Sequence, residues 1–145
     1  RQSQEVKLFL DSSVLLAAAG SADGASRFLF LNAAAQGWRL LSSPYCVDET
    51  VRNLRKLGPK ATAHWRASLS LHLILVPIEL AFDKVLVFPK AKDRPILLSA
   101  LGAEADTLLT LDEADFQRVI GGQVYGLRVR SPGQFLMERR AAGLI

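Results

Sequence analysis

Short apolar runs alternate with helix-like segments along the chain, and this alternation constrains the fold more than any other feature of the sequence. Runs with the length and composition of buried strands lie at 5–10, 38–41, 84–88, 107–110 and 126–130. A chain in which strands and helices alternate favours a parallel sheet with helices packed on both faces. The sequence therefore predicts an α/β fold.

The segments between these runs have helical composition or begin at residues that cap helices. Helices are predicted at 14–19, 25–35, 44–57, 60–73 and 93–103, and two more begin near Asp112 and Ser131. Gly58 and Pro59 separate the third helix from the fourth. The segment 74–82 is continuously apolar but contains Pro77, which interrupts either regular structure, so its type stays open.

The chain has 145 residues, of which 50% are hydrophobic, and this fits one globular domain over residues 1–145. Its densest apolar run, 71–76, is too short and too interrupted to cross a bilayer, and no secretion signal is evident. The single cysteine, Cys46, cannot form an internal disulfide or a cysteine zinc site. We expect a cytoplasmic protein without a membrane segment.

Basic residues are unevenly distributed, although the net charge is only +4. No acidic residue lies between Thr50 and Ile78, whereas this stretch contains Arg52, Arg55, Lys56, Lys60 and Arg66. A basic surface of this kind suits a polyanionic substrate. It is equally typical of a solvated helix face.

Four carboxylates have the placement of a metal site. Three of them, Asp11, Asp93 and Asp112, fall where an apolar run stops and a predicted helix begins, and Glu49 lies inside a helix. Ligands of open α/β sheets gather at the carboxyl ends of the strands, so these side chains can meet at one sheet edge. A set of oxygen ligands without sulfur or imidazole selects Mg²⁺ or Mn²⁺ over zinc.

A structural interpretation of the same acids stays open. Asp11, Asp93 and Asp112 could each cap a helix, and Asp115 could complete the last of these caps. Glu49 could pair with Arg52 on its own helix. Other catalytic patterns are not evident, because the sequence has neither a glycine-rich phosphate loop nor a nucleophile elbow.

Several short motifs together resemble the PIN-domain nucleases, and the resemblance covers nearly the whole chain. The motifs are Leu8-Phe9-Leu10-Asp11-Ser12-Ser13-Val14-Leu15, Glu49, Lys92-Asp93-Arg94-Pro95-Ile96-Leu97, Leu109-Thr110-Leu111-Asp112-Glu113-Ala114-Asp115-Phe116 and the closing Gly126-Leu127-Arg128-Val129-Arg130-Ser131-Pro132-Gly133-Gln134-Phe135-Leu136. The resemblance implies a three-layer α/β/α sandwich with a central, mainly parallel sheet of four to five strands. It also implies an endoribonuclease that depends on Mg²⁺ or Mn²⁺.

By position, Asp11, Glu49, Asp93 and Asp112 match the acidic quartet of the family, and Asp115 matches an additional acidic metal ligand. Ser12, Ser13 and Thr110 match small hydroxyl residues that support the metal ligands. Ser12 and Ser13 stand where Thr-Asn is common in the family, which is a mild departure.

The resemblance extends to possible partners. It implies a toxin of a toxin–antitoxin pair similar to the VapC group, a homodimer, and an antitoxin segment held by the helices around 44–72. The basic residues predicted to contact RNA are Arg52, Arg55, Lys56, Lys92 and Arg94. Trp65 could stack on an unpaired base or belong to the core.

Two other functions remain as alternatives. One is a non-catalytic RNA-binding or assembly module with a PIN-like fold, in which the acids serve only as caps. The other is a related nuclease that acts on branched or single-stranded DNA, for which a longer helical insertion would be expected, and the sequence contains none.

Overall fold

The strands of this protein form one sheet, in the order β3-β2-β1-β4-β6-β5. The computed structural model describes residues 5–77, 93–112, 114, 116 and 122–145. In these residues the strands are β1 (Val6–Leu10), β2 (Trp38–Ser42), β3 (Ile74–Leu75), β4 (Thr107–Leu109), β5 (Gln123–Val124) and β6 (Leu127–Arg130). The helices are α1 (Ser12–Gly20), α2 (Ala25–Gln36), α3 (Pro44–Leu54), α4 (Pro59–Ala67), α5 (Arg94–Gly102) and α6 (Pro132–Ala141).

The sheet is mainly parallel. β1 pairs in parallel with β2 on one side and β4 on the other, whereas β5 pairs with β6 antiparallel. Helices cover both faces, and the predicted three-layer α/β/α architecture is confirmed. The described residues contain six strands rather than four to five, because two-residue strands extend the sheet at each edge. The strand predicted at 84–88 lies outside the described residues.

The strand β1 occupies the middle of the core. Leu8, Phe9 and Leu10 are all fully buried, so both faces of the strand are covered. Continuous burial of this kind is what a central parallel strand requires, and it explains why the sequence reads as an uninterrupted apolar run. The carboxyl end of β1 therefore lies inside the core.

Breaks between helices follow local chemistry. Gly58 has a φ of 100°, which favours glycine, and Pro59 begins α4 directly after it. A 3₁₀ turn at Arg55–Leu57 connects α3 to this break. The prediction of a helix at 60–73 was wrong at its carboxyl-terminal end. The helix stops at Ala67 because the Ser68 backbone, with φ −136° and ψ −66°, leaves the helical region. A second 3₁₀ turn follows at Leu69–His72, with the Leu69 side chain buried.

Within the described residues, no single helix has the length and apolarity to cross a bilayer. The helices α1 and α2 reach the length and apolar composition of a membrane span only when they are taken together, and the chain bends by 94° between them.

Candidate functional site

The candidate site lies where the strand order of the sheet reverses. β2 and β3 lie on one side of β1, and β4 and β6 lie on the other. The connections that leave β1 and β4 therefore diverge, which opens a crevice at the carboxyl ends of these two strands. Asp11 directly follows β1, and Thr110 directly follows β4. The Asp11 amide donates to the carbonyl of Leu109 at 3.2 Å, so the two strand ends are joined.

Hydroxyl groups hold the carboxylate of Asp11 from both sides. Ser13 Oγ and the Val14 amide donate to Oδ1, the latter at 3.2 Å, and Thr110 Oγ1 donates to Oδ2. Asp11 is only 4% exposed. Both carboxylate oxygens are thus fixed in position before any ligand binds.

The same hydroxyls also organise the loop after β4. Ser13 Oγ accepts from the Leu111 amide at 3.0 Å, and Thr110 Oγ1 accepts from the Asp112 amide at 3.0 Å. The exposed Asp112 is therefore placed relative to the buried Asp11 by two hydroxyl groups that contact both segments. Support of metal ligands by Ser13 and Thr110 stays a prediction.

Glu49 approaches the site from α3. Ser12 Oγ donates to Glu49 Oε1, and this bond joins the first turn of α1 to the middle of α3. Among the described residues, no ion pair joins Glu49 to Arg52, so the surface pairing considered above is not formed. Glu49 is half-buried and faces the crevice.

All four predicted carboxylates line one cleft of about 240 Å³. Asp93 enters it from the start of α5, where its side chain makes no capping hydrogen bond to the described backbone of that helix. Asp11 does cap α1, through the bond from Val14. One side chain can therefore both cap a helix and line the cleft. Asp115 lies outside the described residues.

Burial makes the Asp11 carboxyl a weaker acid than an ordinary aspartate. Its pKa is raised from the ordinary 3.8 to about 6, mainly by desolvation and also by the charge of Asp112. The bonds from Ser13, Thr110 and Val14 lower the pKa, but they do not offset the burial. The site therefore holds negative charge at neutral pH that a cation would stabilise.

The ligand chemistry of the cleft fits a hard divalent cation. Its charged groups are carboxylates, which Mg²⁺ and Mn²⁺ prefer. Within the described residues, no three carboxylate, imidazole or thiol side chains stand close enough together to hold an ion by themselves. An ion bound by these carboxylates would keep several water ligands, as Mg²⁺ commonly does in proteins.

Tyr45 and Asn53 also line the cleft, although the sequence analysis did not select them. They lie four residues before and four residues after Glu49 on α3, and residues at this spacing share one face of a helix. That spacing is the signal that could have identified them. Partial burial raises the pKa of the Tyr45 phenol, and the carboxylates of Glu49 and Asp93 raise it further.

The thiol of Cys46, which follows the cleft residue Tyr45 on α3, is fully buried. Burial raises its pKa to about 11, so the thiol stays protonated at neutral pH. A protonated, inaccessible thiol is neither a nucleophile nor a metal ligand.

None of the described residues predicted to contact RNA lines the cleft itself. Arg52, Arg55 and Lys56 are exposed at the end of α3 and in the turn that follows, and Arg94 is exposed at the start of α5. Lys92 lies outside the described residues. Trp65 is 4% exposed and belongs to the core, so its ring is not offered to a base.

Comparison with known proteins identifies a family. The family model described as PIN domain matches residues 7–114, which is more than half of the chain. No curated protein matches the sequence. Among solved structures, the chain is similar to Mycobacterium tuberculosis VapC20, a Sarcin-Ricin loop cleaving toxin. The two are 17% identical with a TM-score of 0.46, and the match covers 70% of this chain and 86% of the other.

Proposed function

The chain belongs to the PIN-domain family, and from this premise we propose that it is an endoribonuclease that requires Mg²⁺ or Mn²⁺. The observation that carries the proposal is the buried, hydroxyl-held carboxylate of Asp11 in a cleft with three further carboxylates. A buried carboxylate with its pKa raised by desolvation is costly to the fold, and such groups are concentrated at functional sites.

Each carboxylate has a distinct part in the proposed reaction. Asp11 and Asp112, held by shared hydroxyl groups, would bind the cation, and Asp93 would complete the charged set from α5. When bound, the ion would supply positive charge to the phosphate and acidify the attacking water. Glu49, oriented by Ser12, would hold that water or bind the ion directly.

The reaction is hydrolysis of an RNA phosphodiester. The water oxygen forms a bond to phosphorus as the bond to one ester oxygen breaks, and the leaving oxygen takes up a proton. The protein contributes positioning and charge rather than a covalent intermediate, as is usual for phosphoryl transfer.

The test is cleavage of end-labelled structured RNA and matched single-stranded DNA in Mg²⁺, Mn²⁺ or chelator. Asp11→Asn keeps the size of the side chain and removes its charge. Asp48→Asn is a matched control, because Asp48 is exposed on the same helix as Glu49 and does not line the cleft. We expect metal-dependent cleavage of RNA that Asp11→Asn abolishes and Asp48→Asn retains.

The same experiment separates the alternatives. Tight RNA binding without cleavage in either metal would favour the non-catalytic RNA-binding module. Preferential cleavage of the DNA substrate would favour a DNA nuclease.

A narrower form of the proposal is that the chain is the toxin of a toxin–antitoxin pair, supported by the resemblance of its motifs to the VapC group. Expression of the chain should then arrest growth, and co-expression of a small neighbouring gene should suppress both the arrest and the cleavage. Growth arrest that no neighbouring gene relieves would contradict this role. Homodimer formation is part of the same proposal, and its test is the mass of the purified protein in solution.

A further inference from the structure

We propose that a groove between α3 and α4 binds the RNA phosphates that flank the scissile bond, an inference that rests on the proposed nuclease function. The groove has a volume of about 540 Å³. Arg52, Arg55 and Arg66 form its rim, and we call it the arginine groove.

The arginine groove has an apolar floor and a charged rim. Leu54 and Trp65 line the floor and are 3% and 4% exposed, whereas the three arginines are exposed. Within the described part of the chain, none of these arginines forms an ion pair, and the sequence from Thr50 to Ile78 contains no acid. The rim is therefore available to bind an anion.

The arginine groove and the acidic cleft share α3. Glu49 lines the cleft, and Arg52 and Arg55 follow it by three and six residues. At the rise of an α-helix, Arg52 lies about 4.5 Å farther along the axis than Glu49, and residues three apart are neighbours on the helix surface. Arg55 follows in the 3₁₀ turn at the end of α3. A strand with one phosphate in the cleft can therefore follow this surface to the arginines.

Because the charged groups of the cleft are carboxylates, attraction of the RNA requires a basic surface beside it. Four carboxylates repel a phosphate until a cation binds, and even then they do not attract the rest of a polyanion. The arginine groove supplies that attraction. Guanidinium groups bind phosphate oxygens in a bidentate manner, which lysine cannot do.

The chemistry favours a nucleic acid backbone as the occupant. An acidic protein segment could also bind the arginines, but only a polyanion with phosphodiester bonds would also be a substrate for the proposed nuclease site in the cleft. Because the Trp65 ring is buried in the floor, the groove offers no exposed aromatic face for base stacking. We therefore expect contacts to phosphates and little dependence on base identity.

The experiment is binding of a short fluorescent oligouridylate in chelator, where no cleavage occurs, over a range of salt concentrations. The variants are Arg55→Gln, Arg66→Gln and the two combined. Arg140→Gln is the matched control, because it removes the same charge from an exposed site on α6. Relative to wild type, we expect each single groove variant to lower the slope of log K against log salt by about 0.7 and the double variant by about 1.4, whereas the control leaves the slope nearly unchanged. Slopes equal to that of Arg140→Gln would overturn the proposal.

Two further arms identify the occupant and separate this inference from the nuclease proposal. An oligoglutamate that displaces the bound RNA at lower concentration than unlabelled oligouridylate would assign the groove to an acidic protein and overturn an RNA occupant. Cleavage in Mn²⁺ is measured on the same proteins. Reduced slopes without any cleavage would support RNA binding in the arginine groove and refute the nuclease proposal. Cleavage with unchanged slopes would support the nuclease proposal and refute RNA binding in the groove.

Discussion

The hydroxyl of Thr110, at the end of β4, donates a hydrogen bond to the carboxylate of Asp11, at the end of the neighbouring strand β1. The two residues are 99 positions apart in sequence, and the bond forms because β1 and β4 pair in register, Leu10 opposite Leu109. The sheet therefore builds the site, since it joins distant segments through their strand ends.

Replacing Thr110 with valine should weaken the site without disturbing the sheet. The change keeps the side-chain shape and removes the hydroxyl that lowers the pKa of Asp11. We expect Mn²⁺ affinity, measured by calorimetry, to fall by about 10- to 100-fold, as is usual when a partner of a metal ligand is lost. The acidic limb of the pH–rate profile should move to higher pH. Thr110→Ser restores a hydroxyl, and failure of serine to restore affinity would contradict the account.

The pKa of Asp11 predicts how stability depends on pH in the metal-free protein. The folded-state pKa of about 6 exceeds the ordinary value of 3.8, so the folded protein binds this proton more tightly than the unfolded chain. The stabilisation is fully present below pH 3.8 and is lost as the pH rises to about 6. The loss corresponds to about 3 kcal/mol.

Asp11→Asn removes this titration and tests the sign. Urea unfolding in chelator at several pH values should show a variant that is at least as stable as the wild type at pH 7, whereas the wild type gains on the variant as the pH falls towards 4. A wild type that becomes relatively less stable as the pH falls over this range would contradict the raised pKa.

Ser12→Ala should impair cleavage through Glu49. The Ser12 hydroxyl donates to the Glu49 carboxylate, so its loss leaves that carboxylate free to turn away from the cleft. We expect a higher Mn²⁺ concentration for half-maximal cleavage, and a smaller effect than that of Glu49→Gln. Asp48→Asn is again the control. Identical Mn²⁺ curves for Ser12→Ala and the wild type would show that this bond does not orient Glu49.

Sequence analysis was most successful where burial and periodicity agree. The central strand at Leu8, Phe9 and Leu10 and the position of Asp11 after it are evident from an apolar run that stops at a polar residue. Asp11, Asp93 and Asp112 could be selected because each follows an apolar run, and the strand ends of a parallel sheet face the same edge, whereas Glu49 lies inside a helix and was selected from the family resemblance. In the structure all four line one cleft, and their role as metal ligands stays a prediction.

Other features depend on tertiary contacts that a sequence does not reveal. The two-residue strands β3 and β5 exist only because a neighbouring strand pairs with them. The helix α4 ends at Ala67, where the Ser68 backbone leaves the helical region and the next residue, Leu69, is buried; periodicity alone does not indicate this break. The arginine groove could not be predicted from the sequence, because only the position of α4 beside α3 brings Arg66 next to Arg52 and Arg55.

Ser131→Ala should affect stability and leave the chemistry unchanged. Ser131 and Gln134 form reciprocal capping bonds at the start of α6, which does not line the cleft. Loss of such a cap costs about 1 kcal/mol in the free energy of unfolding. Urea denaturation measures that cost, and the cleavage rate at low temperature should match the wild type. A large loss of activity in the folded variant would argue that α6 contributes to the site.

The central claim is that the Asp11 cleft is a metal-dependent nuclease centre, and the most direct measurement is the initial rate of RNA cleavage as Mn²⁺ is titrated into chelator-treated protein. The account predicts no cleavage without the ion, a saturable rise in rate for the wild type and for Asp48→Asn, and a loss of at least about 100-fold for Asp11→Asn. Cleavage that persists in chelator, or that Asp11→Asn leaves unchanged, would contradict it.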